Sequence, residues 1–134
     1  ILDNFFIFYY LVYWRNLVIM YTYIIVNKKI MEEAMSSFEL YGDMLKIYRE
    51  VDLQCGYKLD IMLQRINNKG ALYAAKSLIR DEETDNGLEF LIKANKEELS
   101  LENLILSDKY KDVFDDEDKQ ICNDRLRKYR NIEE

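Results

Sequence analysis

The sequence predicts an all-α fold: a compact bundle of about five to six short helices over residues 35–134, preceded by a hydrophobic segment over residues 1–34. Three observations carry that expectation. The 134 residues contain no proline and only four glycines, so little interrupts a helix and few tight turns are on offer. Apolar residues recur at three- and four-residue spacing, and no strand-like alternation stands out against that pattern. Helix-start and chain-reversal signals fall between the apolar stretches, in register with them. With 49% apolar and 33% charged residues, there is material for one core and one solvated surface.

The N-terminal segment is compositionally distinct. From Ile1 to Ile30 there is no Ala, Gly, Ser, Pro, Glu or Gln. Phe5 to Val26 is twenty-two residues long, enough for a hydrocarbon core of about 30 Å. Its aromatic residues are spread throughout rather than gathered at the ends, and Arg15 and Asn16 sit at its centre. An arginine there costs about 2.5–3.5 kcal/mol on insertion scales. A secretory signal fits poorly, because no basic region precedes the apolar run and no small-residue cleavage site follows it. Ile, Phe, Tyr, Asn, Lys and Leu are the residues that A/T-rich codons specify. The composition therefore favours translated upstream DNA, with the native start at Met31 or Met35; the membrane anchor over 5–26 is the alternative. Arg15, Lys28 and Lys29 balance Asp3, Glu32 and Glu33, so the whole net charge of −6 belongs to residues 35–134.

Ser36, with Glu39 three residues on, reads as a capping box opening the first helix of the domain. Phe38, Tyr41, Leu45 and Tyr48 mark one face, and Leu40, Met44, Ile47 and Val51 its neighbour; together they predict a wide buried stripe. Gly42 weakens this helix without breaking it. Leu59, Met62, Leu63 and Ile66 give the cleanest amphipathic signal, closed by Asn67-Asn68-Lys69-Gly70, where Gly70 suits a left-handed C-cap. Ala71, Leu72, Ala75, Leu78 and Ile79 supply the next face, whose small residues admit a close neighbour. Arg80-Asp81-Glu82-Glu83 reads as a solvated exit. Thr84 or Asp85 caps a helix carrying Leu88, Leu91 and Ile92. Ser100 caps one that turns Leu101, Leu104 and Ile105 inward, and Asp108 starts a turn bearing Tyr110, Val113 and Phe114. Asp115 or Asp116 opens the last helix, whose acidic first turn and basic last turn complement its dipole. Ile121, Cys122, Leu126 and Tyr129 form its apolar stripe.

From about Lys46 to Leu126, with its motifs beginning at Gly56, the chain resembles a family of small bacterial all-helical proteins, free-standing or built into larger ones, some linked to restriction or phage defence. The family pattern runs Gly-Tyr, Phe-Leu-x-Met-Leu, Gly-Gly, Ala-Lys-x-Leu-Leu, Ser-Asp-Gly-Phe, Leu-Ser-x-Glu-x-Leu-Val-Leu and a final Phe. Gly56-Tyr57, Met62-Leu63, Gly70-Ala71, Ala75-Lys76, Leu78-Ile79 and Asp85-Asn86-Gly87-Leu88 stand at the corresponding places. Leu99-Ser100-Leu101-Glu102-Asn103-Leu104-Ile105-Leu106 matches best, and Phe114 follows. Arg65-Ile66 departs from Met-Leu, and Ile92 stands where the family has Trp. The resemblance implies the helical fold and brings no established activity with it.

The residues argue against several function classes. An acidic chain is poorly suited to nucleic acid as its main ligand, which demands clustered cations; Arg125, Arg127, Lys128 and Arg130 are the one basic cluster. Histidine is absent and Cys55 and Cys122 are far apart, so a zinc site has almost no ligands and the commonest general base is missing. The two cysteines read as free thiols of a reduced, cytoplasmic protein. Glu102 reads as a carboxylate at a helix N-terminus, Asp85 and Asn86 as caps or a polar site with Lys93, and Tyr57 and Tyr110 as anchoring aromatics. No enzyme, metal or cofactor is expected. The expected function is protein–protein interaction or adaptor work, with Tyr41, Tyr48, Arg125, Arg127 and Arg130 as candidate partner-binding residues. A nucleic-acid-associated accessory of a defence system is the alternative.

Overall fold

The computed structural model describes residues 2–84 and 87–131. It is all-α: among the described residues there are six α-helices, two short 3-10 turns and no strand. The chain divides into two compact units, Ile1–Met35 and Ser36–Glu134.

In the first unit every described residue through Met35 is helical. Its large apolar residues from Phe5 to Met35, Trp14 among them, are exposed. They surround the helix on all sides, so it has no polar face to set against a buried one. Among the described residues no helix is long and apolar enough to cross a membrane. The tyrosines, Arg15 and Asn16 lower the hydropathy of the otherwise apolar run between Phe5 and Val26.

In the second unit the helices are α1 (Leu2–Cys55, here from Ser36), α2 (Asp60–Lys69), α3 (Ala71–Arg80), α4 (Leu88–Lys93), α5 (Leu101–Ile105) and α6 (Asp116–Arg130). The 3-10 turns Glu97–Leu99 and Asp108–Tyr110 flank α5. Ser36 does not cap a helix, because α1 is already helical there. A capping residue must sit in extended backbone, and no proline or glycine precedes Gly42 to interrupt the helix.

Of the two α1 faces expected to be buried, one is. Leu40, Met44, Ile47 and Val51 lie in the core with Met62, Ile66, Ala74, Ala75, Leu78, Ile105, Tyr110, Phe114 and Cys122. Phe38 and Tyr41 are exposed, and Leu45 and Tyr48 half-buried. The domain has too few helices to cover a stripe that wide. On α3 the buried position is Ala74, and Leu72 faces outward, because the core side is set by Ala71, Ala75 and Leu78 three and four residues apart. Leu63 and Leu104 are likewise only half-buried. Leu88, Ile92 and Leu126 form a satellite cluster joining α4 to α6.

Two expected boundaries hold in detail, and a third holds in place but not in conformation. Ser100 Oγ accepts the Asn103 amide at 3.1 Å. Asp115 Oδ1 accepts the Asp118 amide at 2.8 Å while Asp118 Oδ2 accepts the Asp115 amide at 3.3 Å, a reciprocal box. Gly70 separates α2 from α3 at φ 87° and ψ 168°, a positive-φ extended conformation rather than the left-handed helical one expected. The start of α4 differs. Its N-cap is Gly87, at φ 80° and ψ 3°, not Thr84, whose hydroxyl donates instead to Asp81; Asp85 and Asn86 lie outside the described residues. A Cβ on Gly87 would stand 2.8 Å from Leu59 Cδ2 and 3.2 Å from the Tyr57 ring. The position therefore needs glycine twice over, for its φ and for its room.

Candidate interaction surface

On α1, an α-helix brings residues three and four apart onto one face. Phe38, Tyr41, Leu45 and Tyr48 share such a face beside the core-forming one. Phe38 is 73% exposed and Tyr41 41%, and Leu45 and Tyr48 are half-covered. The Tyr48 hydroxyl donates to Asp60 Oδ1 at 3.2 Å, tying the far end of the strip to α2. Partial burial and the adjacent Asp60 carboxylate raise the Tyr48 pKa, so the phenol keeps its proton and donates. The two tyrosines thus differ: Tyr48 is partly used by the fold, and Tyr41 stands open.

The flank of this helix is pinned by a polar contact. Asp43 Oδ2 accepts from the Tyr110 hydroxyl at 2.6 Å and from Lys109 Nζ at 2.7 Å. Burial alone would raise the Asp43 pKa, but these two donors and the charges of Lys109 and Lys46 outweigh it and hold the carboxyl below its ordinary range. Tyr110, fully buried, is pushed well above the usual phenol value by that burial and by Asp43. Alongside runs a shallow groove of about 280 Å³, lined by Ile47, Glu50, Glu98, Leu99, Asn103 and Leu104 among others. Asp43, Lys46 and Ser107 complete its lining, with the Ser107 hydroxyl donating to the Leu104 carbonyl at 2.6 Å.

The three arginines of the basic cluster are in ion pairs, while Lys128 lies over the Tyr129 ring. Arg125 Nε donates to Glu102 Oε1 at 3.0 Å and its Nη1 to the Ile79 carbonyl at 3.2 Å, with the Arg125 side chain only 11% exposed. Arg130 pairs with Glu97, and Arg127 Nη2 lies 3.4 Å from Asp124. Glu102, expected as a helix-dipole carboxylate, does occupy the first turn of α5, but it is buried against Arg125 as well. Lys93 pairs with Glu89 at 2.7 Å; the polar site expected for it with Asp85 and Asn86 falls outside the described residues.

Three polar clusters went unforeseen. Asp118 is fully buried, with Arg80 Nη2 2.7 Å from Oδ1 and Lys76 Nζ 3.4 Å from Oδ2. Burial opposes its ionisation, but the Arg80 guanidinium, the Asp115 amide and the Lys76 charge prevail and lower its pKa. Arg65 reaches from α2 to Ser77, Asp81 and Thr84. The third is the Asp43–Lys109–Tyr110 contact. Sequence offered one hint, Arg65 in place of an apolar residue; the other pairs join positions tens of residues apart. Cys55 and Cys122 are free thiols. Among the described residues no group of three or more His, Cys, Asp or Glu side chains is placed to hold a metal ion.

Compared with protein-family models, curated proteins and solved structures, the chain has no match.

Proposed function

We propose that this protein is a small helical interaction module that acts by binding a protein partner, without catalysis, through the outer face of α1 between Ser36 and Cys55. The observation that carries this reading is Phe38, 73% exposed on the same helical face as Tyr41, Leu45 and Tyr48. An aromatic strip of that kind on a folded surface marks a contact site, because aromatic side chains provide large contact area and dominate binding energy when covered. The ionisable groups support binding over chemistry: Asp43, Asp81, Glu102 and Asp118 are each held by a cation or hydroxyl inside the fold. Free thiols at Cys55 and Cys122 fit a reducing, cytoplasmic setting. The alternative, a nucleic-acid accessory, loses weight with Arg125, Arg127 and Arg130 engaged by carboxylates.

The test is a photo-crosslinking residue at Phe38 of the full chain in its own cells, with the same residue at exposed Arg127 as reference. Protein adducts at position 38 and none at 127 are expected. No adduct at 38, or equal labelling at both, overturns the reading.

A further inference from the structure

Gly42 lies at the solvent pole of α1, opposite Leu40, Met44 and Ile47. Nothing within the chain asks for glycine there. Its φ is not positive, and a Cβ built on it meets no atom within 4 Å. A smooth spot in mid-helix is what a second helix needs to come close. The residues around it are self-complementary. In an antiparallel pair of helices crossing on a two-fold axis, the residue k places before the centre faces the residue k places after it. With the centre at Gly42, exposed Phe38 on one helix falls within one residue, about 1.5 Å along the axis, of half-buried Leu45 on the other. Glu39 falls within one residue of Lys46 on the other copy, and the symmetry makes each contact twice. Glu39 and Lys46 are exposed; within the chain Lys46 acts on Asp43 and Glu39 on Lys109 through their charges, and among the described residues neither is in a close ion pair. Tyr41 meets its own counterpart beside the crossing.

We propose that α1 over Ser36–Tyr48 pairs with the same stretch of a second copy of this chain, antiparallel about a two-fold axis at Gly42. The proposal rests on the interaction reading above and names its partner. Apolar matching of Phe38 to Leu45 holds the pair, and the Glu39–Lys46 bridges favour the antiparallel direction, which sets like flanks of the two helices face to face where a parallel pair sends them to opposite sides.

The test uses the full chain with Cys55→Ser; Cys122 stays, being fully buried. Gly42→Cys places a thiol on the axis, within disulfide reach of its mate, and Arg127→Cys is the reference. Under mild oxidation the disulfide-linked homodimer forms about tenfold or more faster from position 42. Glu39→Lys or Lys46→Glu added to the Gly42→Cys chain slows it about tenfold, and the two together restore the rate. A rate ratio near one between positions 42 and 127, or charge changes without effect or without mutual rescue, overturns the pairing. Should Phe38 cross-link to a different protein while position 42 forms no preferred homodimer, the pairing falls and the interaction reading stands. Should neither occur, both fall.

Discussion

At the scale of single residues the domain depends on charges placed where water cannot reach them. Glu102 is 1% exposed and its partner is Arg125. Arg125→Ala takes the guanidinium away from a buried carboxylate, which costs up to about 3–5 kcal/mol; urea unfolding should show the midpoint falling accordingly, whereas Arg127→Ala, at an exposed pair, should change stability by about 0.5 kcal/mol or less. Gly87→Ala should destabilise by about 1–2 kcal/mol for the left-handed backbone alone, with more from the contact on Leu59. Asp81 makes a pH prediction. The Thr84 hydroxyl first, then Arg65, then the Thr84 and Glu83 amides lower its pKa from 3.8 to about 2, against a smaller opposing effect of burial. A carboxyl depressed in the folded state binds its proton less readily than in the unfolded chain. Its stabilising contribution is therefore present above pH 3.8 and is lost as pH falls through about 2. In a carboxyl-carbon NMR titration, Thr84→Val should move the Asp81 midpoint back toward its ordinary value; an unmoved midpoint would refute that assignment.

At the scale of elements, one terminus and one interior position are open to measurement. Asp115→Ala removes one half of a reciprocal cap and should cost about 1 kcal/mol, within the range of 0.5–2 for such losses. Gly42→Ala, with open space around the new methyl, should stabilise the isolated chain by up to about 1 kcal/mol while hindering close approach of another helix. The same elements tell how much was legible in the sequence. Ser100, Asp115 and the reversal at Gly70 could be read because capping is local chemistry, settled within four residues. The start of α4 could not, since the signal at Thr84 was answered by Asp81 and the helix waited for Gly87, whose demand comes from Leu59 and Tyr57 far back in the chain. Periodicity identified both apolar faces of α1 but not which one the core would take, because that choice depends on how many helices remain to cover it. The ion pairs of Asp118 and Glu102 were beyond reach for the same reason: nothing near residue 118 in sequence announces Arg80.

At the scale of the whole molecule, the core of the second unit, among the described residues, begins at Leu40. A chain beginning at Met35 should therefore keep the helical signal of residues 36–131 and unfold cooperatively; a non-cooperative, molten transition in circular dichroism would show that the domain needs more of α1 than its core contacts reveal. The two thiols allow that experiment to be timed from within. Cys122 is fully buried, and burial first, with the nearby Glu102 charge, pushes its pKa up to about 12, so a thiol reagent at neutral pH finds it only when α6 has come away from its neighbours. Cys55, at the end of α1, is partly open to solvent. Added to the native protein, such a reagent should colour in two beats, one prompt and one at the tempo of the domain's own opening, and the interval between them is a clock for unfolding that the chain already carries.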